Sequence, residues 1–215
     1  MTFPPFPERP PGPAEPGRWP DPPGYPLPPL RPVPRREGPL LVPLVEPPRA
    51  APPRRVLVSG PLDAAAATRV AAELMELDGR GAGDVELLVN SDGGPLADVL
   101  PLLDVIGLMR APVHTRCVGR AVGTAAVLLA CGTGDRRAAR HALISLRCTD
   151  RVELDGSPAA LRAQVEELER IRHHVVAALA SRTGRPEAAL ADQLDHGELL
   201  DATAAAELGL IDAVG

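Results

Sequence analysis

Proline divides this chain before any other feature is weighed. The sequence holds 27 prolines in 215 residues, and all but six precede residue 55; the six are Pro61, Pro95, Pro101, Pro112, Pro158 and Pro186. Proline lacks an N–H and fixes φ, so stretches such as PPGYPLPPLRPVP make neither helix interior nor central strand and favour extended, partly polyproline II chain. Residues 1–54 are therefore expected to be a disordered Pro-rich tail, either a docking ligand for a partner or a plain extension. Residues 55–215 are long enough for one folded domain with a sizeable core.

That core must be aliphatic. Phe3, Phe6, Trp19 and Tyr25 are the only aromatic residues, and all lie in the tail. All 23 basic residues are Arg, and with the abundant Ala, Gly and Pro this fits GC-rich coding. A net charge of -5 argues against a nucleic-acid partner, which would call for a basic stripe. Cys117, Cys131 and Cys148 are odd in number and lack CxxC spacing, which fits reduced thiols. The start MTFPPFPERP is not a signal peptide. The longest apolar run, about Ala121 to Cys131, is too short to span a bilayer. A cytoplasmic protein without membrane partner, cofactor or metal is expected.

From Arg55 the pattern alternates. RVLVSG and VELLVN read as strands, and Asp63 to Leu77 reads as a helix with Val70, Leu74 and Leu77 at helical spacing. After the SDGG turn, Pro95 to Met109 reads as a helix with Leu96, Val99, Leu103 and Ile106 on one face. VHTRCVG is a strand that runs into a small apolar helix; HALISL and RVEL are further strands. Alternation of this kind implies βαβ units and a mainly parallel sheet. A long helix follows from Ser157, its N-cap, with Pro158 at the first helical position, to about Ser181, with Gly184 as the C′ residue. Leu161, Val165, Leu168, Ile171, Val175 and Leu179 form one stripe, suited either to its own sheet or to another subunit. His173 and His174 are adjacent on this helix and face different ways, so they form no metal pair.

Five stretches in order resemble the ClpP family of self-compartmentalising serine peptidases: VLVSGPLD, LLVNSDGG, CVGRAVGTAAVLLACGTGDRRAARHALI, EELERIRHHVVAALASRTGRP and LLDATAAAELGLIDAV. The resemblance covers Val56 to Gly215. It implies a ClpP/crotonase-like spiral of βαβ units with a projecting handle helix, assembling as heptameric rings that stack in pairs. It also implies a nucleophile turn at Gly119-Arg-Ala-Val-Gly-Thr-Ala. There the serine position is Gly123, the histidine position is Arg147 and the aspartate position is Gly197. A Ser–His–Asp site needs a hydroxyl, a base and an orienting carboxylate. Gly123 has no side chain, Arg147 stays protonated, and Gly197 orients nothing. Loss of a triad costs on the order of a million-fold in rate.

The oxyanion-hole equivalents are the amides of Gly94 and Thr124, with Gly93 supporting the turn. Pro95 departs from the family and removes an N–H where a peptide strand would pair. Thr124, Ser145, Cys148 and Asp195 lie near the site in sequence, and Arg147 is expected to pair with an acid such as Asp195. PLLVPLVE (Pro39 to Glu46) resembles the family's axial segment. PPRAAPPRR follows where the family has a helix that helps form the pocket for the ATP-driven unfoldase, which argues against direct Clp ATPase docking here. The leading expectation is a catalytically silent subunit of a homo- or hetero-oligomeric ring, beside an active ClpP paralogue. The alternatives are a serine-type peptidase with a rebuilt site and a crotonase-like module that binds an acyl or peptide ligand.

Overall fold

The computed structural model describes residues 54–81, 83–148 and 154–215. The Pro-rich tail up to residue 53 and most of the expected RVEL strand lie outside them. The described chain begins with strand β1 (Arg55–Pro61), helix α1 (Ala64–Gly79), strand β2 (Val85–Gly93), helix α2 (Leu96–Leu108) and strand β3 (Val113–Val122). Helix α3 (Thr124–Ala130), strands β4 (Arg136–Ala138) and β5 (Leu143–Ser145), helix α4 (Pro158–Thr183) and helix α5 (Glu187–His196) follow. Strand β6 (Leu200–Asp201), helix α6 (Ala202–Glu207) and strand β7 (Ala213–Val214) close the chain.

The sheet runs β1-β2-β3-β4-β7, with every neighbouring pair on that path parallel. Strand β5 leaves the path, pairing parallel with the end of β3 and antiparallel with β6. Buried positions alternate along β2 and β3, and the core is aliphatic, with Leu62, Leu74, Leu87, Leu102, Leu128, Ile144 and Leu194 fully enclosed. Burying each such side chain contributes roughly 1.5–3 kcal/mol. Every residue of α3 is buried, and Ala125, Ala126 and Ala130 let this central helix approach its neighbours closely.

Helix caps follow the local sequence. Asp63 accepts the amide of Ala66 at 2.8 Å and opens α1. Ser157 accepts from Ala160 at 3.3 Å and opens α4, with Pro158 in its first turn. Gly184 ends α4 in the left-handed region (φ 68°), its amide donating to Ala180 at 2.9 Å. Only Val175, Val176 and Leu179 are buried along the 26 residues of α4. The first half of the helix, where Val165 is 42% exposed, carries the apolar stripe away from the core. At about 1.5 Å per residue, α4 is about 39 Å long. Among the described residues, no helix is long and apolar enough to cross a membrane.

Candidate active site

The candidate site lies at the carboxyl ends of β1, β2, β3 and β5, where open parallel sheets commonly place their chemistry. Asn90 and Gly119 shape the approach. The β2–β3 register steps from Val89↔Cys117 to Ser91↔Ala121. Gly119 makes that irregularity at φ 102°, and a Cβ there would stand 2.7 Å from Asn90 Oδ1. Asn90 Oδ1 accepts the amide of Arg120 at 3.3 Å. The extra residues carry β3 on to Val122 and deliver Gly123 to the sheet's rim.

Gly123 adopts φ 57°, ψ -124° as the cap of α3, a sparsely populated conformation that costs a side-chain-bearing residue roughly 1–3 kcal/mol. Its amide donates to the Ser145 carbonyl at 2.8 Å, and its own carbonyl accepts from Ala126 and Val127. The turn therefore keeps the tight strand-to-helix geometry that presents a nucleophile, while carrying no nucleophile. A Cβ on Gly123 would meet the Arg147 carbonyl at 3.4 Å and Cys148 Sγ at 3.7 Å. The side chain nearest a Gly123 Cβ is thus that of Cys148. Cys148 also donates its amide to Leu194 at 2.9 Å. Burial pushes the Cys117 thiol up to about 11 and the Cys131 thiol up to about 12, so both stay protonated at neutral pH.

The pairing expected between Arg147 and Asp195 does not form. Asp195 instead accepts two bonds from Arg172 of α4, at 2.6 and 2.8 Å. The physical reason is geometric: a planar guanidinium matches a carboxylate fork to fork, and α4 lays Arg172 alongside α5. Arg147 is exposed, its amide donating to Ser145 Oγ at 3.2 Å. Gly197 caps α5, and a Cβ there would lie 2.3 Å from the Gln193 carbonyl. That backbone admits no aspartate.

Gly93, Gly94 and Thr124 come together. Gly93 sits at φ 85°, and a Cβ on it would stand 2.5 Å from the Val122 carbonyl; one on Gly94 would stand 2.1 Å from the Leu62 carbonyl. The double glycine is therefore required by close approach. Thr124 is fully buried. Its hydroxyl accepts the Gly94 amide at 2.8 Å and donates to the Gly94 carbonyl at 3.1 Å. Ser91, in the LLVNSDGG stretch, ties the loop together. Its Oγ donates to the Gly60 carbonyl at 2.5 Å and accepts the Gly93 amide at 3.0 Å. Short polar side chains that bond nearby backbone in turns are a recognisable signal for such an anchor. Among the described residues, no group of three His, Cys, Asp or Glu could hold a metal ion.

Residues 49–215 match the Clp protease family. The chain is 36% identical over 163 residues to an ATP-dependent Clp protease proteolytic subunit 1 of Nocardia farcinica, covering 75% of this chain and 82% of that relative. It is equally 36% identical over 166 residues to a putative ATP-dependent Clp protease proteolytic subunit-like protein of Streptomyces coelicolor, with 75% and 78% covered. It is 33% identical over 165 residues to an ATP-dependent Clp protease proteolytic subunit 2 of Corynebacterium jeikeium, with the same two shares covered.

Proposed function

Because this chain belongs to the Clp protease family, we propose that it serves as a non-hydrolytic subunit of a ClpP-type ring, structural or regulatory in role, beside an active paralogue. The observation that carries this reading is Gly123. The nucleophile turn is intact in backbone, at φ 57° and ψ -124°, but offers no atom to attack with. Two further features support it. Arg172 engages Asp195, an acid two positions from Gly197, and Gly197 has no room for a side chain.

The assembly half of the proposal rests on α4. Leu161, Leu168 and Ile171 are only half-buried and Val165 is exposed. An apolar stripe left open along a helix is suited to cover by a second subunit. Clp ATPase docking is assigned to the partner subunits.

Native mass spectrometry of the protein co-expressed with an active Clp proteolytic subunit from the same cell tests this reading. Mixed rings are expected. Recovery of this chain only as a monomer or small oligomer, alone and with the paralogue, overturns it.

One observation favours a second reading. Cys148 Sγ lies 3.7 Å from where a Gly123 Cβ would stand, so a rebuilt peptidase would work through that thiol. Cleavage of a fluorogenic peptide by the assembled protein, abolished by Cys148→Ala, would support it. The acyl- or peptide-binding alternative is disfavoured by the Thr124–Gly94 contact.

A further inference from the structure

The loop Gly93-Gly94-Pro95 follows β2 and packs against Val122 and Thr124, on either side of Gly123, and its backbone is already satisfied from within the chain. The Gly93 amide donates to Ser91 Oγ at 3.0 Å, and the Gly93 carbonyl accepts from Leu62 at 2.9 Å. Thr124 Oγ1 then takes both polar groups of Gly94, the amide at 2.8 Å and the carbonyl at 3.1 Å. Pro95 has no amide to offer.

The Thr124 contact has a specific shape. An extended peptide added to a strand edge exchanges both an N–H···O and an O···H–N bond with one residue of that edge. A single hydroxyl reproduces this pair, because it can accept and donate at once. Nor can the loop back away. A Cβ on Gly94 would be 2.1 Å from the Leu62 carbonyl, and one on Gly93 would be 3.0 Å from Thr124 Oγ1. Gly94 is thus held between β1's exit and α3.

We propose that the Thr124 hydroxyl is a built-in occupant of this loop: it holds the two Gly94 backbone groups that a bound peptide would use, and so closes them to peptide and acyl carbonyl groups. This deepens the non-hydrolytic reading and rests on it. A nucleophile was lost from Gly123, and ligand access was closed separately one residue later. The two can fail independently. Mixed rings report on assembly whatever the Gly94 amide does, and the amide reports on closure whatever the protein assembles with.

The test is amide hydrogen exchange at Gly94 in the full-length protein, followed by fragmentation mass spectrometry. Pro95 contributes no amide, so a fragment spanning Gly93 to Pro95 reports only two sites. The probe is a capped tripeptide, acetyl-Ala-Leu-Leu-amide, at millimolar concentration. In the wild type, Gly94 is expected to exchange slowly and the probe to change nothing. Thr124→Val should exchange about tenfold faster, the scale of one lost buried hydrogen bond, and the probe should slow it again. Thr124→Ser should restore wild-type protection. Equal exchange in wild type and Thr124→Val overturns the proposal, as does protection of the wild type by the probe or failure of the probe to protect the valine variant. If Thr124→Val does not fold, the wild type and Thr124→Ser carry the test: slow exchange unaffected by the probe supports closure, and fast or probe-sensitive exchange in either overturns it.

Discussion

Arg172 and Asp195 clamp α4 to α5, through two bonds of 2.6 and 2.8 Å between guanidinium and carboxylate. Arg172 also reaches the Ala191 carbonyl at 2.8 Å. The pair joins residues 23 positions apart on two different helices, which gives it more influence on tertiary structure than a pair within one helix. Its side chains are 33% and 47% exposed, so solvent screening holds its worth to roughly 1 kcal/mol or less. Arg172→Ala should lower the melting temperature slightly, and Arg172→Lys should recover only part, since an ammonium cannot make the two-pronged contact. Differential scanning calorimetry of the three proteins measures both effects.

Placing a serine at Gly123 should not create peptidase activity. The space at Gly123 is open, with its nearest contact at 3.4 Å, so Gly123→Ser meets no severe clash. It does force a side chain into φ 57°, at a cost of roughly 1–3 kcal/mol. Arg147 supplies no base and Gly197 no carboxylate. The expected result is a folded, less stable protein without gain of peptidase activity, read by thermal unfolding and a fluorogenic peptide assay. Cleavage by the serine variant would show that another group acts as base.

Gly94→Ala should be far more damaging than Gly123→Ala. A methyl on Gly94 would sit 2.1 Å from backbone at Leu62, whereas one on Gly123 finds ordinary contacts. The first must displace the β1 exit or the loop, on the order of 3 kcal/mol or more; the second carries only conformational strain. Chemical denaturation of the two variants orders them, and a reversed order would contradict the close packing of the loop.

Asp212 links acid stability to the last strand. The Arg136 guanidinium holds its carboxyl below the ordinary value of 3.8. Arg136 bonds Asp212 through its amide and guanidinium and the Gly209 carbonyl through Nη1, joining β4 to the segment before β7. A carboxylate whose pKa is lowered by folding adds stability above its unfolded pKa, and loses it as pH falls through the lowered folded value. The contribution is therefore complete at neutral pH and disappears below about pH 4. Asp212→Asn should lower stability at pH 7 and leave a shallower loss between neutral pH and pH 3, followed by thermal unfolding across that range.

Assembly should depend on the open half of α4 more than folding does. Val165 is 42% exposed, so Val165→Asp removes little core packing. It places a charge on the stripe that a second subunit would cover. The melting temperature of the isolated chain should change little while rings are lost, as measured by sedimentation velocity. Intact rings in this variant would move the assembly contact elsewhere.

Local chemistry made much of this protein legible from the sequence. Alternating apolar runs mark β1, β2 and β3, Asp63, Ser157 and Gly184 mark helix ends, and the stripe from Leu161 to Leu179 marks α4. These features rest on backbone rules that act within a few residues. The absence of a nucleophile at Gly123 is equally plain from the sequence, because it needs only the residue type and a matching motif. The short strands β4, β6 and β7 were hidden, since two or three residues form a strand only when a neighbour pairs with them. Arg172's hold on Asp195 and Cys148's approach to Gly123 join residues separated by 23 and 25 positions, and chain folding alone brings them together. Thr124 shows the division most directly. The sequence places a hydroxyl beside Gly123, but whether it attacks, binds or blocks depends on where it points. Close packing of Leu62, Gly94 and α3 turns it onto the Gly94 backbone.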